Sequence, residues 1–511
     1  LSSTAGTLNP ADLSALPPLP APLDVATAVD RARAAQSAWL AKSRYERELQ
    51  LLVLTRKILE RREDYARLIS SETGRSFTDS LISEVATAKA HCQAAIAVSR
   101  VALAPEKLPI SMLDYPGKRG VVEAVPRGVV GIISPWNYPF TQIFRHLVPA
   151  LLAGNAIVIK PSEHTPRTAL WLAERCAEAL PDGLVTVATG DGEVGAKLIE
   201  LADAIVFTGS ERTGRRIAAR CGERLIPCTV ELGATDAAIV LADCDLDRTV
   251  AGLVNWSMTN AGQDCSSIER VYVEAAIADT LVERLKTALG RMTVYSGTGE
   301  ADIGVLQSEA QRAIVEDHVA DAIARGATLV CGGRRTGTGY GYLPTLLDNV
   351  PADATLCSAE TFGPVLPIIR VQRAEDAIAL VNAAPSGLNG SVWTKDLARG
   401  EAIARRLEVG VALVNNHSIT GTMPHAPWSG VKGSGHGVAM SRHAYAAYTR
   451  RKVIFVDNNS KPDPWWFPKD ASLGEFAGLL ARRDLGSFTA LFGLLGALGK
   501  RVQAVRDRAR G

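Results

Sequence analysis

A change of period near residue 120 constrains this chain more than any other feature. From there on, short β-branched runs at 120–125, 129–133, 156–159, 184–187, 204–207 and 228–230 each read as a strand, and helical stretches separate the later ones. Strand alternating with helix predicts a parallel sheet covered by helices on its faces, the signature of an α/β domain. A second series at 237–240, 270–273, 365–369 and 411–414 predicts a second sheet, and 451–456 is a late strand beyond it. Upstream, residues 24 to about 100 read as helical, with Trp39, Leu51, Leu54, Ile58 and Leu68 recurring at helical spacing among charges. Residues 1–22, with Pro17, Pro18, Pro20 and Pro22, form an extended lead-in.

With 511 residues there is room for roughly two to four such domains. The formal charge of +2 supplies no basic field, which argues against nucleic acid as a partner. Eight cysteines lie scattered, without a CxxC pair or a His/Cys cluster, so neither a zinc site nor a disulfide framework is indicated. Free thiols point to a reducing, cytoplasmic setting. The chain begins at Leu1 rather than at methionine, which fits a removed leader or a trimmed end. No apolar run approaches the roughly 20 residues that span a bilayer. The tail from Lys461 is different in kind. Pro464-Trp465-Trp466-Phe467-Pro468 precedes an apolar run at 488–498 and a basic end with Lys500, Arg501, Arg506, Arg508 and Arg510. It fits either a helix packed on the protein or a partner subunit, or an interfacial helix in peripheral contact with a membrane.

The chemistry centres on Cys265, in Asn260-Ala261-Gly262-Gln263-Asp264-Cys265, and on Glu231, in Val230-Glu231-Leu232-Gly233. A thiol with a separately held carboxylate suits covalent chemistry on a carbonyl: the thiolate attacks, and the carboxylate activates the water that releases the product. A single cysteine is more often an inert core residue; the remaining parts tip the balance. Asn137, in the Pro-bracketed turn Pro135-Trp136-Asn137-Tyr138-Pro139, offers an amide to a developing oxyanion, although asparagine also caps its own turns. Lys160 and Glu163 follow a strand at its carboxyl end, where ligands bind in open α/β sheets. Gly209-Ser210-Glu211-Arg212-Thr213-Gly214 is not the GxGxxG fingerprint, yet it leaves N–H groups free for a pyrophosphate at a helix start.

Together with Lys160-Pro161-Ser162-Glu163, Phe207-Thr208-Gly209-Ser210, Glu360-Thr361-Phe362-Gly363-Pro364 and Lys432-Gly433-Ser434-Gly435, these segments stand in the order of the NAD(P)-dependent aldehyde dehydrogenase superfamily, non-acylating type. The chain resembles that family over roughly residues 25–457. The resemblance implies an α/β fold with a Rossmann-like NAD-binding domain (1–107 and 127–233), an α/β catalytic domain (234–433) and a small bridging and oligomerisation β unit (108–126 and 449–457), followed by an extension at 461–511. It implies Cys265 as nucleophile, Glu231 as base and Asn137 as oxyanion donor. Lys160 would bond the adenine ribose with Glu163 beside it, a carboxylate that favours NAD over NADP. Ser210, with Gly209 and Gly214, would meet a phosphate. Glu360 would hold the nicotinamide ribose with Phe362 beside the ring, and Pro135, Trp136 and Leu232 complete the cofactor set. No metal is implied, and relatives form homodimers or homotetramers. Two departures stand out: Gly233-Ala234 replaces the usual Gly-Gly, and Asp264 adjoins the nucleophile, where it is expected to point away.

For the substrate, Tyr138, Gln142, Arg145, Met258, His425 and Trp428 form the expected pocket. The Trp465-Trp466 tail resembles branches of the family that act on large apolar aldehydes, so a bulky apolar aldehyde is the expectation. The alternative is a semialdehyde whose distal carboxylate meets Arg145, although the place of Arg145 on the helix after Pro139 fits a surface role equally well. Two further alternatives are a relative that passes the acyl group to coenzyme A, against which Glu231 argues, and a non-catalytic NAD-binding structural protein.

Overall fold

The computed structural model describes residues 6–510, except Leu113 and Thr338; for Arg510 it describes the backbone only. The start of the lead-in therefore lies outside the described residues. The chain divides into two compact units, Leu1–Ala104 with Ala124–Arg450, and Pro105–Glu123 with Arg451–Gly511.

The larger unit holds two sheets. In the first, Cys228–Leu232, Ala204–Gly209, Val129–Ile133, Ala156–Lys160 and Val185–Val187 lie side by side in parallel, and Gly435–His436 adds an antiparallel edge. The four inner segments are buried almost throughout, because helices cover both faces. Val129–Ile133, first in sequence, lies in the middle, so the chain reverses direction across it and its carboxyl end opens a crevice. Leu147, Leu151 and Leu152 of the helix Thr141–Leu152, with Trp39, Leu51, Leu54 and Ile58 from the N-terminal helices, pack the same core.

The second sheet runs Thr328–Cys331, Thr345–Asp348, Val365–Val371, Ile268–Glu274, Asp236–Val240, Asn389–Trp393 and Val411–Val414. All neighbours are parallel except the first pair. The α/β class read from the sequence is what the structure has.

The smaller unit contains most of a three-stranded sheet of Glu106–Lys107, Lys118–Pro126 and Thr449–Asp457. Its tail is a helical hairpin: Phe476 of Ala471–Asp484 packs with Leu494 and Ala497 of Phe488–Arg510. Buried Arg501 donates to the carbonyls of Pro464 (2.7 Å), Trp466 and Pro468 and so fixes the aromatic segment. Arg483 pairs with Asp114 (2.6 Å), and Lys118 with Asp463 (2.8 Å), so the extension shares one unit with the sheet instead of standing apart. Membrane contact through the tail gains no support, and Leu494, Ala497 and Leu498 of its apolar run pack in the hairpin. Among the described residues no helix is long and apolar enough to cross a membrane.

Candidate active site

The candidate residues gather where strands of the first sheet end. Pro135, Trp136 and Asn137 follow Val129–Ile133, and Lys160 closes Ala156–Lys160. Gly209 and Ser210 close Ala204–Gly209, while Glu231 and Leu232 close Cys228–Leu232. Cys265 arrives from the other side, on the loop that feeds Ile268–Glu274.

That loop is strained. Asn260, Ala261 and Gly262 have φ of 54°, 55° and 71°, and a Cβ on Gly262 would lie 2.0 Å from the Gly363 carbonyl oxygen. Non-glycine residues in this region cost roughly 1–3 kcal/mol each and persist only when their surroundings hold them. Here the hold is a buried amide network. Asn260 Nδ2 donates to the carbonyls of Asn137 and Gln263 (3.0 Å each). Gln263 Nε2 donates to the Asn260 and Val305 carbonyls (3.0 and 3.1 Å), and its Oε1 accepts from the Gln307 N–H (2.8 Å). The Asn137 side chain gives one N–H to the Gln263 carbonyl (3.1 Å), which leaves the other for a ligand. Behind it, the fully buried Arg75–Glu84 pair (2.8 Å) anchors the turn: Arg75 donates to the Asn137 carbonyl (3.0 Å), and Glu84 accepts from the Thr141 N–H (2.7 Å).

Cys265 is half-buried and lines a cleft of about 810 Å³. Burial and then the Asp264 charge push its thiol well above the usual range, while Arg145 pulls the other way. Asp264 does not turn away as expected. It also lines the cleft, accepting from the Tyr138 hydroxyl (2.9 Å) and from the Ser266 N–H and hydroxyl (2.9 and 2.8 Å). Tyr138, Gln142, Arg145 and Trp428 line the cleft as expected, whereas Met258 packs in the core beneath the second sheet and His425 lies exposed. His91, absent from the sequence reading, joins the wall; burial and Arg145 pull its pKa down to about 4, so it is neutral.

Glu231 is buried and paired with Arg145 through Arg145 Nη2 and Glu231 Oε2. Its Oε1 lies 3.7 Å from His146 Nε2 without a hydrogen bond among the described residues. Burial raises the Glu231 pKa against the pull of Arg145. Burial keeps His146 neutral, and its Nδ1 meets the Tyr448 hydroxyl at 2.7 Å.

A second cleft, about 540 Å³, is lined by Arg212, Gly233, Ala234 and Glu360. A Cβ on Gly233 would lie 2.1 Å from the Glu360 carboxylate, so only glycine admits it there. Glu360 Oε1 is buried without a partner among the described residues, an acceptor suited to a ribose hydroxyl. Trp136 meets Phe362 edge-on at 5.4 Å. Lys160 donates to Glu163 at 3.4 Å. Ser210 begins the helix Glu211–Glu223 and donates to Thr213 Oγ1 (3.1 Å), so the first-turn N–H groups remain for an anion. Gly214 instead lies against Leu232: an added Cβ would meet Leu232 Cδ2 at 2.3 Å. An orphan acceptor, a helix start and a cleft between them fit a dinucleotide. Glu269 escaped the sequence reading: it accepts the Thr361 and Phe362 N–H groups (2.8 Å each) and so positions the segment that carries Glu360 and Phe362.

Fold and clefts describe an α/β enzyme that presents a cysteine beside a nucleotide-sized crevice. The sequence profile of the aldehyde dehydrogenase family matches residues 7–454, and the chain belongs to that family. It is 36% identical over 453 residues to a Mycolicibacterium smegmatis protein provisionally named succinate-semialdehyde dehydrogenase (NADP(+)), covering 86% of each chain. It is 36% identical to a 3-sulfolactaldehyde dehydrogenase of Priestia aryabhattai (86% and 92% covered). Among solved structures, lactaldehyde dehydrogenase from Escherichia coli matches with a TM-score of 0.84 and 32% identity (89% and 95% covered). The NAD+ complex of an aldehyde dehydrogenase from Bacillus cereus matches with 0.85 and 30% (89% and 93%). This chain is thus an NAD(P)-dependent aldehyde dehydrogenase. The bulky apolar substrate gains no support from these relatives; the semialdehyde alternative fits.

Proposed function

We propose that the chain oxidises a short aldehyde bearing a second anionic group, such as a semialdehyde, to the carboxylic acid. The observation that carries this is Arg145. It is 7% exposed yet lines the cleft with Cys265, and two donors there, its own Nε and the Trp428 Nε1, are buried without partners among the described residues. A bulky apolar aldehyde would leave these groups unpaired, at a cost of about 1–3 kcal/mol each. An anionic substrate would satisfy the guanidinium with a charge-assisted bond. The names of the two relatives at 36% identity point the same way.

In this reading Cys265, as thiolate, adds to the aldehyde carbon, and its own N–H and the free Asn137 N–H receive the oxyanion. A bound nicotinamide would supply the hydride acceptor that oxidation of the Cys265 adduct to a thioester requires. Glu231 then takes a proton from water as the new C–O bond forms; the C–S bond breaks and Cys265 leaves as thiolate. Lys160 and Glu163 would hold the adenine ribose, Ser210 with Gly209 the pyrophosphate, and Glu360 the nicotinamide ribose beside Phe362, Trp136 and Pro135. Gly214 and Leu232 would shape that floor through their mutual packing. Glu163 opposes a 2′-phosphate, so NAD is the preferred form. The two sheets of the larger unit would serve as NAD-binding and catalytic domains. The smaller unit would join subunits of a homodimer or homotetramer, a role suited to its exposed Val453, Ile454 and Phe455.

A panel tests this: kcat/KM for succinic semialdehyde with NAD should exceed that for a long-chain aldehyde and that with NADP. Preference for the long chain would sink the substrate reading. Cys265→Ala should abolish oxidation and retain NAD binding by calorimetry; full activity would remove the nucleophile.

A further inference from the structure

The Arg145–Glu231 pair does more than join two buried charges. One guanidinium faces both the proposed base and the cleft in which the substrate sits. Its Nη2 is on Glu231, while its buried Nε has no partner among the described residues. Glu231 in turn is gripped on one side only, since Oε1 has no hydrogen bond among those residues and neutral His146 cannot replace the cation. Arg145 sits on the helix Thr141–Leu152 and Glu231 at the end of the strand Cys228–Leu232, so breaking the contact requires no element to move.

We infer that Arg145 parks Glu231, and that the anionic end of the substrate, by engaging Arg145, frees the carboxylate to activate water. Arg145 is therefore a positioning residue for the base. The inference rests on the anionic-substrate reading and adds that deacylation, rather than binding alone, senses the second charge. Two carboxylates sharing one guanidinium weaken its hold on each, and their like charges push the mobile one aside. With its counter-charge diverted, burial acts on Glu231 less opposed and makes it the stronger base. A neutral acyl group of the same length leaves Glu231 parked, and the thioester accumulates.

Activated esters test this without cofactor, because they acylate a thiol directly and release nitrophenolate. The wild-type protein should show a nitrophenolate burst with 4-nitrophenyl butyrate. With mono-4-nitrophenyl succinate it should deacylate roughly tenfold faster, with the burst reduced. In Arg145→Gln the ratio of the two deacylation rates should fall towards one, with the butyryl rate rising. Arg145→Lys should restore part of the ratio. Equal deacylation of both esters by the wild type, which needs no variant to fold, overturns the inference; so does an Arg145→Gln protein that keeps the ratio. The substrate reading is judged separately. An unchanged KM for succinic semialdehyde in Arg145→Gln sinks that reading, whereas a raised KM with an unchanged ester ratio sinks only the parking.

Discussion

Two buried carboxylates belong to this site, and their surroundings are opposite. Glu231 has a cation against it, and Arg145 offsets the burial that raises its pKa. Glu360 sits among other acids: burial first, then Glu269, Asp236 and Asp264, push it well above the ordinary range, against the Ala234 N–H. One side is built to keep a charge ready. The other makes a charge costly until a ligand supplies hydroxyl donors. The contrast teaches that burial alone does not assign a role; the neighbour that answers it does.

The contrast can be broken most forcefully at Glu360. Glu360→Gln should weaken NAD binding roughly 10- to 100-fold, the loss of a bond to a charged group worth about 1.5–3 kcal/mol. It should also leave thermal stability unchanged or higher, because it thins the acidic cluster. Calorimetry and melting curves check both, and unchanged affinity would remove Glu360 from the cofactor set.

Glu269 sharpens it next. Burial raises its pKa from 4.5 to about 7, against the Thr361 and Phe362 N–H groups. A folded pKa above the unfolded one means that its contribution is full below about 4.5 and is lost as pH rises through about 7. Glu269→Gln keeps an acceptor for both N–H groups and cannot ionise. Denaturation midpoints across pH 5 to 8 should therefore fall less steeply in the variant. Parallel profiles would show that Glu269 does not titrate there.

The smallest effect is expected beside the nucleophile. Asp264→Asn removes the second cause of the raised Cys265 pKa, so iodoacetamide at pH 8 should alkylate Cys265 a few-fold faster. A rate unchanged at every pH would mean that the Asp264 charge does not reach the sulfur.

Much of the fold was legible because a β-branched run between helical stretches reports local burial. Segments such as 129–133 and 156–159 fall within observed strands. Asn389–Trp393 was not legible: an inner strand next to the sheet's edge, it places Asn389 and Ser391 at 0% exposure, and Asn-Gly-Ser carries no apolar signal. At the site, the motifs named residues that the fold brings to two clefts, Cys265 to one and Glu360 to the other. They did not name Arg75, Glu84 or Glu269, whose work is to hold the motif backbones. Charged residues usually face solvent, so nothing in their spacing sets these apart.

By itself the sequence determined the alternation of strand and helix, and the presence of a thiol, a carboxylate and an amide in an aldehyde dehydrogenase's order. Only the tertiary structure decided which charges meet. Arg145 and Glu231 lie 86 positions apart, and the packing of one helix on one strand end makes them partners. Periodicity is set by each segment's own burial, whereas the pairing of buried charges depends on which face meets which end, a relation between distant segments.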